Sequence, residues 1–221
     1  MSTWVERDVH CPKCSHRFMM RLADGLHITR LPEVRRRVRE GTFHQAACPS
    51  CGAIVTAQVQ TVYTDFERRH WLHVDLPSER SRWRELEAKA LGGFDGAVRL
   101  GAPPMVQAMA DSFRVRLVFG YPALREKILL WDAGMDDGLV ECLKLELIRA
   151  RPTLMAGGGE LVVDEVLDGQ QLVMLTQGGA APARLTLQPG AYAQAVASRA
   201  AYEAQVPSLF GPGFVSIHRL I

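Results

Sequence analysis

Two near-identical tetrapeptides, CPKC at 11–14 and CPSC at 48–51, constrain this chain more than any other feature. Each sets two cysteines at the C-x-x-C spacing of a metal-binding knuckle, a tight turn that presents both sulfurs on one side of the backbone. Two such turns facing each other supply a tetrahedral set of thiolates. This predicts Cys11, Cys14, Cys48 and Cys51 as the ligands of one zinc ion, with iron as the alternative, because four thiolates also suit a one-iron centre. Four protein ligands leave no position for water or substrate, so the site is expected to hold the fold rather than do chemistry. A zinc deaminase would need PCxxC with a partner HxE; here each proline lies inside the pair and no HxE occurs.

Residues 15–47 separate the knuckles, more than a compact two-knuckle site uses. The extra length is cheap, since each doubling of a loop costs only about 0.6 kcal/mol in closure entropy. A short helix over 31–40 fits into it, with Pro32 in the first turn, Gly41 after the last, and Leu31, Val34 and Val38 along one side. The other faces carry Arg30, Arg35, Arg36, Arg37 and Arg39, partly offset by Glu33 and Glu40. That patch could meet nucleic-acid phosphates or an acidic protein partner, or stay solvated. Gly52 gives the turn after the second knuckle its backbone freedom, whereas Ser15, in the equivalent place, tolerates such a turn less well.

Charge offers no global attraction to nucleic acid or to an anionic membrane: 26 basic residues oppose 24 acidic ones. The opening residues lack the charged and apolar regions of a secretory signal, and no stretch has the roughly 18 apolar residues of a membrane span. The expectation is a cytoplasmic protein with no membrane partner, whose paired cysteines bind metal rather than form disulfides.

Downstream, 54–76 alternates like strand, broken at 63–67; 78–93 reads as a charged helix with Ser78 as its cap and Gly92–Gly93 as its stop; and 94–104 reads as a loop. Phe113, Val115, Leu117 and Phe119 alternate as a strand, and a helix starts at Pro122. The segment 136–150 is too apolar around its circumference for a surface helix and should lie in the core. A hairpin over 160–177 turning at Asp168–Gly169, a strand at 183–188, an Ala-rich helix over 189–206 and a last strand at 213–221 complete an α+β chain of mixed order. It divides into a zinc-ribbon-like segment 1–76, a connector 77–112, and an α+β region 113–221 packed on the helix at about 136–150.

The other chemistry-bearing residues have bland readings. His10 and His16 are exposed turn histidines, and His44, His70 and His73 are isolated strand-region histidines. The acidic residues of DAGMDDG and Glu141 are explained by capping and the helix dipole rather than by a cation. Glu126 and Lys127 form a surface helix pair, Cys142 is an inert core thiol, and AGGGE at 156–160 is a flexible connection.

The two knuckles, together with FERRHWLHVDLP at 66–77 and LREKILLWDAGMDDGLVECLKLEL at 124–147, resemble the CpXC domain family, named for its paired Cys-Pro-x-Cys motifs. The resemblance implies a bacterial or archaeal protein with a zinc-ribbon-like element, carries over Cys11, Cys14, Cys48 and Cys51 as metal ligands, and supplies no reaction. No serine or cysteine nucleophile has a base at motif spacing, so the chain reads as a binding protein rather than an enzyme. A protein partner or a second copy is the leading expectation, a nucleic-acid-binding or regulatory ribbon using the Arg-rich helix the second, and an enzyme with a site within 113–221 the third.

Overall fold

The computed structural model describes residues 2–156, 158–178 and 183–220, in two compact units spanning 1–124 and 125–221. Gly157 of the glycine-rich connection and Ile221 of the expected last strand lie outside the described residues. The described chain is α+β, as its pattern implies.

The first unit is built around a five-stranded mixed sheet. β1 (Thr3–His10) and β2 (Arg17–His27) form an antiparallel hairpin, β5 (Thr61–Asp65) and β6 (His70–Asp75) form another, and β7 (Arg114–Phe119) closes the order β1-β2-β5-β6-β7. The β2–β5 and β6–β7 neighbours are parallel, so each pair needs a crossover. The first crossover contains α1 (Pro32–Arg39) and a short hairpin of β3 (Gln45–Ala47) with β4 (Ile54–Thr56). The second contains α2 (Trp83–Phe94) and the one-turn α3 (Pro104–Gln107). Leu22, Tyr63, Leu72, Val74 and Leu117 are fully buried in this unit. α1 matches expectation in extent and inner face, with Val34 and Val38 buried.

α2 does not. Ser78 makes no side-chain cap, a 3-10 stretch (Pro77–Arg82) precedes the helix, and the chain runs helically through Gly92–Gly93 into a π-helical turn (Asp95–Leu100) where a loop was expected. The reason is tertiary: Phe94 and Val98 are buried against Phe113 and Val115, and that packing outweighs the helix-breaking cost of about 1 kcal/mol per glycine.

α4 (Tyr121–Asp132) leads out of the first unit into the second, which contains α5 (Asp137–Ala150), the antiparallel sheet β8 (Glu160–Leu167), β9 (Gln171–Gln177) and β10 (Arg184–Thr186), then α6 (Ala191–Ala197) and α7 (Arg199–Gln205). Asp136 caps α5 by accepting from the amides of Gly138 and Leu139, and Leu139, Val140, Cys142 and Leu143 are buried, which makes α5 the core helix its composition implies. The expected Ala-rich helix breaks at Ser198.

Two expectations fail here for related reasons. Glu126 and Lys127 are each 3% exposed rather than a surface pair, because they pair with other buried charges inside the unit. Among the described residues 214–220 there is no strand; Phe214 and Val215 are buried in irregular chain, and residues Ile217–Arg219 turn as a 3-10 helix capped by Ser216. β7 hydrogen-bonds to β6, so residues 114–119 belong to the first unit.

Candidate metal centre

Each Cys-Pro-x-Cys motif sits at the tip of a hairpin, CPKC between β1 and β2, CPSC between β3 and β4. The two tips repeat one hydrogen-bond pattern. In the first, the Ser15 amide donates to the Cys11 carbonyl at 2.8 Å and the Cys11 amide to the His16 carbonyl at 2.9 Å; in the second, Gly52 donates to Cys48 at 2.9 Å and Cys48 to Ala53 at 2.8 Å. The turn demands a left-handed residue at the position after the second cysteine, and both turns comply, Gly52 at φ +70° and Ser15 at φ +58°. Serine adopts the conformation despite its Cβ.

The sulfurs of Cys11, Cys14, Cys48 and Cys51 all lie within 4.8 Å of one another. Their closest approaches run across the hairpins, Cys11 to Cys51 at 3.6 Å and Cys14 to Cys48 at 3.7 Å. Metal–sulfur bonds of about 2.3 Å put the corners of a tetrahedron about 3.8 Å apart, so the spacing is that of ligands around one ion. Cys11 and Cys48 are buried among Met20, Leu22, Val55 and Ala57, while Cys14 faces outward.

Metal-free, the set resists full ionisation. Burial pushes the Cys11 thiol up, but the amides of Cys14 and Lys13 and the neighbouring thiols outweigh it and bring it down to about 7. The Ala53 amide favours the Cys51 thiolate, yet the Cys14 sulfur, burial, and the Cys11 and Cys48 sulfurs together raise it to about 12. A bound cation would offset the burial and the crowding of sulfurs that raise Cys51.

The arginines of α1 are not brought together into one cationic face. Arg35 turns inward, 3.6 Å from the buried Asp65 carboxylate, Arg37 donates to the Thr42 and Gln45 carbonyls, and Arg36 pairs with Glu40 at 3.0 Å. Arg30 and Arg39 are exposed. His10 and His16 are also exposed, and His10 accepts from Arg17 at 3.1 Å instead of turning to the sulfurs.

His44 is the histidine with a structural task. Its Nε2 accepts from the Ala23 amide at 2.9 Å, so the neutral ring carries its proton on Nδ1, 2.8 Å from the Tyr121 hydroxyl. That hydroxyl donates to the Val59 carbonyl, and Thr61 donates to the Ala23 carbonyl, stitching β2 to the chain beyond the second knuckle. Burial, aided by Arg37, holds the His44 imidazole down at about 4. It remains neutral in the fold.

Sequence reasoning missed the densest polar cluster, in the second unit. Glu126, Lys127, Asp137, Glu141 and Lys144 are each 1–3% exposed. Lys144 Nζ donates to both Glu126 oxygens at 2.6 and 2.7 Å and to Glu141 at 2.8 Å, and Lys127 pairs with Asp137 at 3.0 Å. The amide of Val163 donates to Glu126 and that of Ile217 to Glu141. Burial raises the Glu126 carboxyl against the pull of Lys144, whereas for Glu141 the two lysines overcome burial and lower it. The signal was legible: Glu141 and Lys144, three apart within a helix too apolar for the surface, had to be buried with it. Cys142 beside them is the inert thiol expected, pushed up to about 12 by burial and by surrounding carboxylates.

These observations define a two-unit α+β protein whose first unit carries a four-cysteine cluster that could hold a metal ion. The family model described as CpXC protein matches residues 9–144, more than half of the chain, and the chain belongs to that family. It is also 29% identical over 126 residues to a Treponema pallidum (strain Nichols) protein described as an uncharacterized protein, the match covering 56% of this chain and 54% of that protein. The chain thus spans about half the length of that relative. No solved structure matches it. Among the described residues, no helix is long and apolar enough to cross a membrane.

Proposed function

We propose that the chain is a cytoplasmic protein-interaction or scaffolding module whose first unit is locked by one structural zinc ion on Cys11, Cys14, Cys48 and Cys51. The sulfur geometry carries the metal: cross-hairpin approaches of 3.6 and 3.7 Å fit the edge of a zinc–thiolate tetrahedron. Zinc has no redox chemistry and accepts tetrahedral thiolates without strain, which favours it over iron for a closed site. The ion would cross-link the tips of two hairpins that also pack together in a small apolar cluster.

The closed centre supports binding over catalysis, because all four positions are filled by protein. So does the internal satisfaction of the most perturbed groups, His44 by Ala23 and Tyr121, and Lys144 by two carboxylates. A nucleic-acid role for α1 is weaker, since Arg35 and Arg37 are spent inside the fold. The partner is therefore a protein or a second copy.

Replacing Cys48 with serine tests both halves. A structural zinc site contributes on the order of 10–16 kcal/mol of apparent binding energy, so Cys48→Ser should lose the metal, open residues 1–76 to protease, and release proteins retained by the immobilised wild-type chain. Unchanged metal content and unchanged protease resistance would refute the clamp. A wild-type chain that retains no protein and does not self-associate would refute the interaction role.

A further inference from the structure

Three polar residues of β6 turn to one face of the five-stranded sheet. Trp71, His73 and Asp75 alternate along the strand, so their side chains share the side on which α2 lies, where Phe94 packs on Trp71. Each carries a buried polar atom without a hydrogen-bond partner: Trp71 Nε1, His73 Nε2 and Asp75 Oδ2. The first Asp75 oxygen accepts from Gln60 and from the Leu76 amide, both at 2.8 Å, whereas Oδ2 stands 3.7 Å from His73 Nε2, beyond hydrogen-bonding reach. Asp75 is only 1% exposed, so its Oδ2 is a costly atom to leave unmet. A fourth atom of this kind, His27 Nδ1, lies on the same face, because the register sets His27 of β2, Thr64 of β5 and Trp71 side by side.

The next row of the sheet is Gly25, Val62 and His73, all half-buried. A Cβ on Gly25 would meet nothing within 4 Å, so there is room above it. Along one side of this floor runs an arc of rings. His27 stacks on Phe66 at 5.1 Å, and Phe113, Phe94 and Trp71 follow at centroid distances of 5.5 Å each. Asp75, held by Gln60, closes the opposite side. An apolar wall with a few convergent polar groups is the make-up of a small-molecule site.

The polar atoms select the chemistry of the ligand. A carboxylate oxygen only accepts and an indole N–H only donates. Burial, aided by Lys89 and opposed by Asp75, lowers the His73 value, so the ring is neutral and has one nitrogen of each kind. An ammonium ligand would leave the Trp71 donor unmet, and an anion would be repelled by Asp75. Hydroxyl groups both donate and accept, and a sugar ring carries them around its rim, matching atoms that stand at the His27, Trp71 and Asp75 corners. Its C–H faces suit the aromatic arc.

We infer that this face of the first unit binds a small polyhydroxylated molecule, a monosaccharide, whose hydroxyls donate to Asp75 Oδ2 and accept from Trp71 Nε1. The site is separate from the metal centre and independent of the interaction role.

The test reads the indole N–H signals of the four tryptophans in nitrogen-15 correlation spectra of the metal-loaded full chain, with Trp71 assigned through Trp71→Phe. D-glucose and D-ribose are titrated separately. At least one should move the Trp71 signal saturably and leave the other three in place. Asp75→Asn keeps the oxygen that accepts from Gln60 and Leu76 but turns the other into a donor, and should weaken binding by about tenfold or more. Gly25→Val touches none of the four polar atoms, suits a strand and has room for its Cβ, so it should keep the fold while abolishing binding. No shift at about 100 mM of either sugar, where a site with a millimolar Kd would be full, would overturn the inference. So would an equal drift of all four signals, undiminished binding by Gly25→Val, or a Trp71 N–H that contacts ordered water alone.

Discussion

Lys144→Met should destabilise the second unit by about 3–5 kcal/mol, the cost of stripping a buried ion pair of one member. The wild-type ammonium is held by three contacts of 2.6–2.8 Å to Glu126 and Glu141. Methionine matches its volume but leaves Glu126 with the Val163 amide and the field of Lys127, and Glu141 with the Ile217 amide and a lysine 3.8 Å away. A domain of this size holds only about 5–15 kcal/mol of stability in total, so urea unfolding followed by circular dichroism would show the loss plainly. A pH signature should accompany it. Burial already raises the Glu126 carboxyl, and without Lys144 it rises further. A carboxyl raised above its unfolded value stabilises below that value and loses the contribution as pH rises, so the gap between mutant and wild type should narrow toward acid pH. Adding Glu126→Gln to Lys144→Met should recover part of the loss, with a coupling of about 0.5–3 kcal/mol. A cost below about 1 kcal/mol with no pH dependence, the behaviour of an exposed pair, would refute the buried cluster.

His44 makes the first unit acid-sensitive. Its ordinary value of 6.5 falls to about 4 in the fold, so between these the unfolded chain binds more protons. Stability is fully present above about pH 6.5 and declines by up to about 3 kcal/mol as pH drops toward 4; His44→Gln should flatten that slope in unfolding measured across the range, and an unchanged slope would contradict the assignment. Ser15→Gly should stabilise the first knuckle by on the order of 1 kcal/mol, by relieving a left-handed serine. Thermal unfolding of the metal-loaded protein reads this, and a lower melting temperature would count against the knuckle geometry.

The clustering of the four cysteines was legible because each pair is three residues apart, so that any turn joining them brings its two sulfurs together. α1 and α5 were legible through capping residues and apolar periodicity. The parallel pairings β2–β5 and β6–β7 were not, because nothing within either strand records a partner beyond a long crossover. Gly92–Gly93 misled because the helix there is maintained by Phe94 and Val98 packing on distant residues. Glu126 and Lys127 misled because their charge says surface, and only the partners Lys144, Asp137 and the backbone at Val215 make their burial tolerable. The same partners hold residues 214–216 as irregular chain where a strand was expected.

The most direct test of the central claim is elemental analysis of the purified chain joined to X-ray absorption at the metal edge. The account predicts about one zinc per chain, surrounded by four sulfurs at about 2.3 Å with no oxygen or nitrogen in the shell. A chain that folds without metal, or a metal whose shell includes water or histidine, would contradict it.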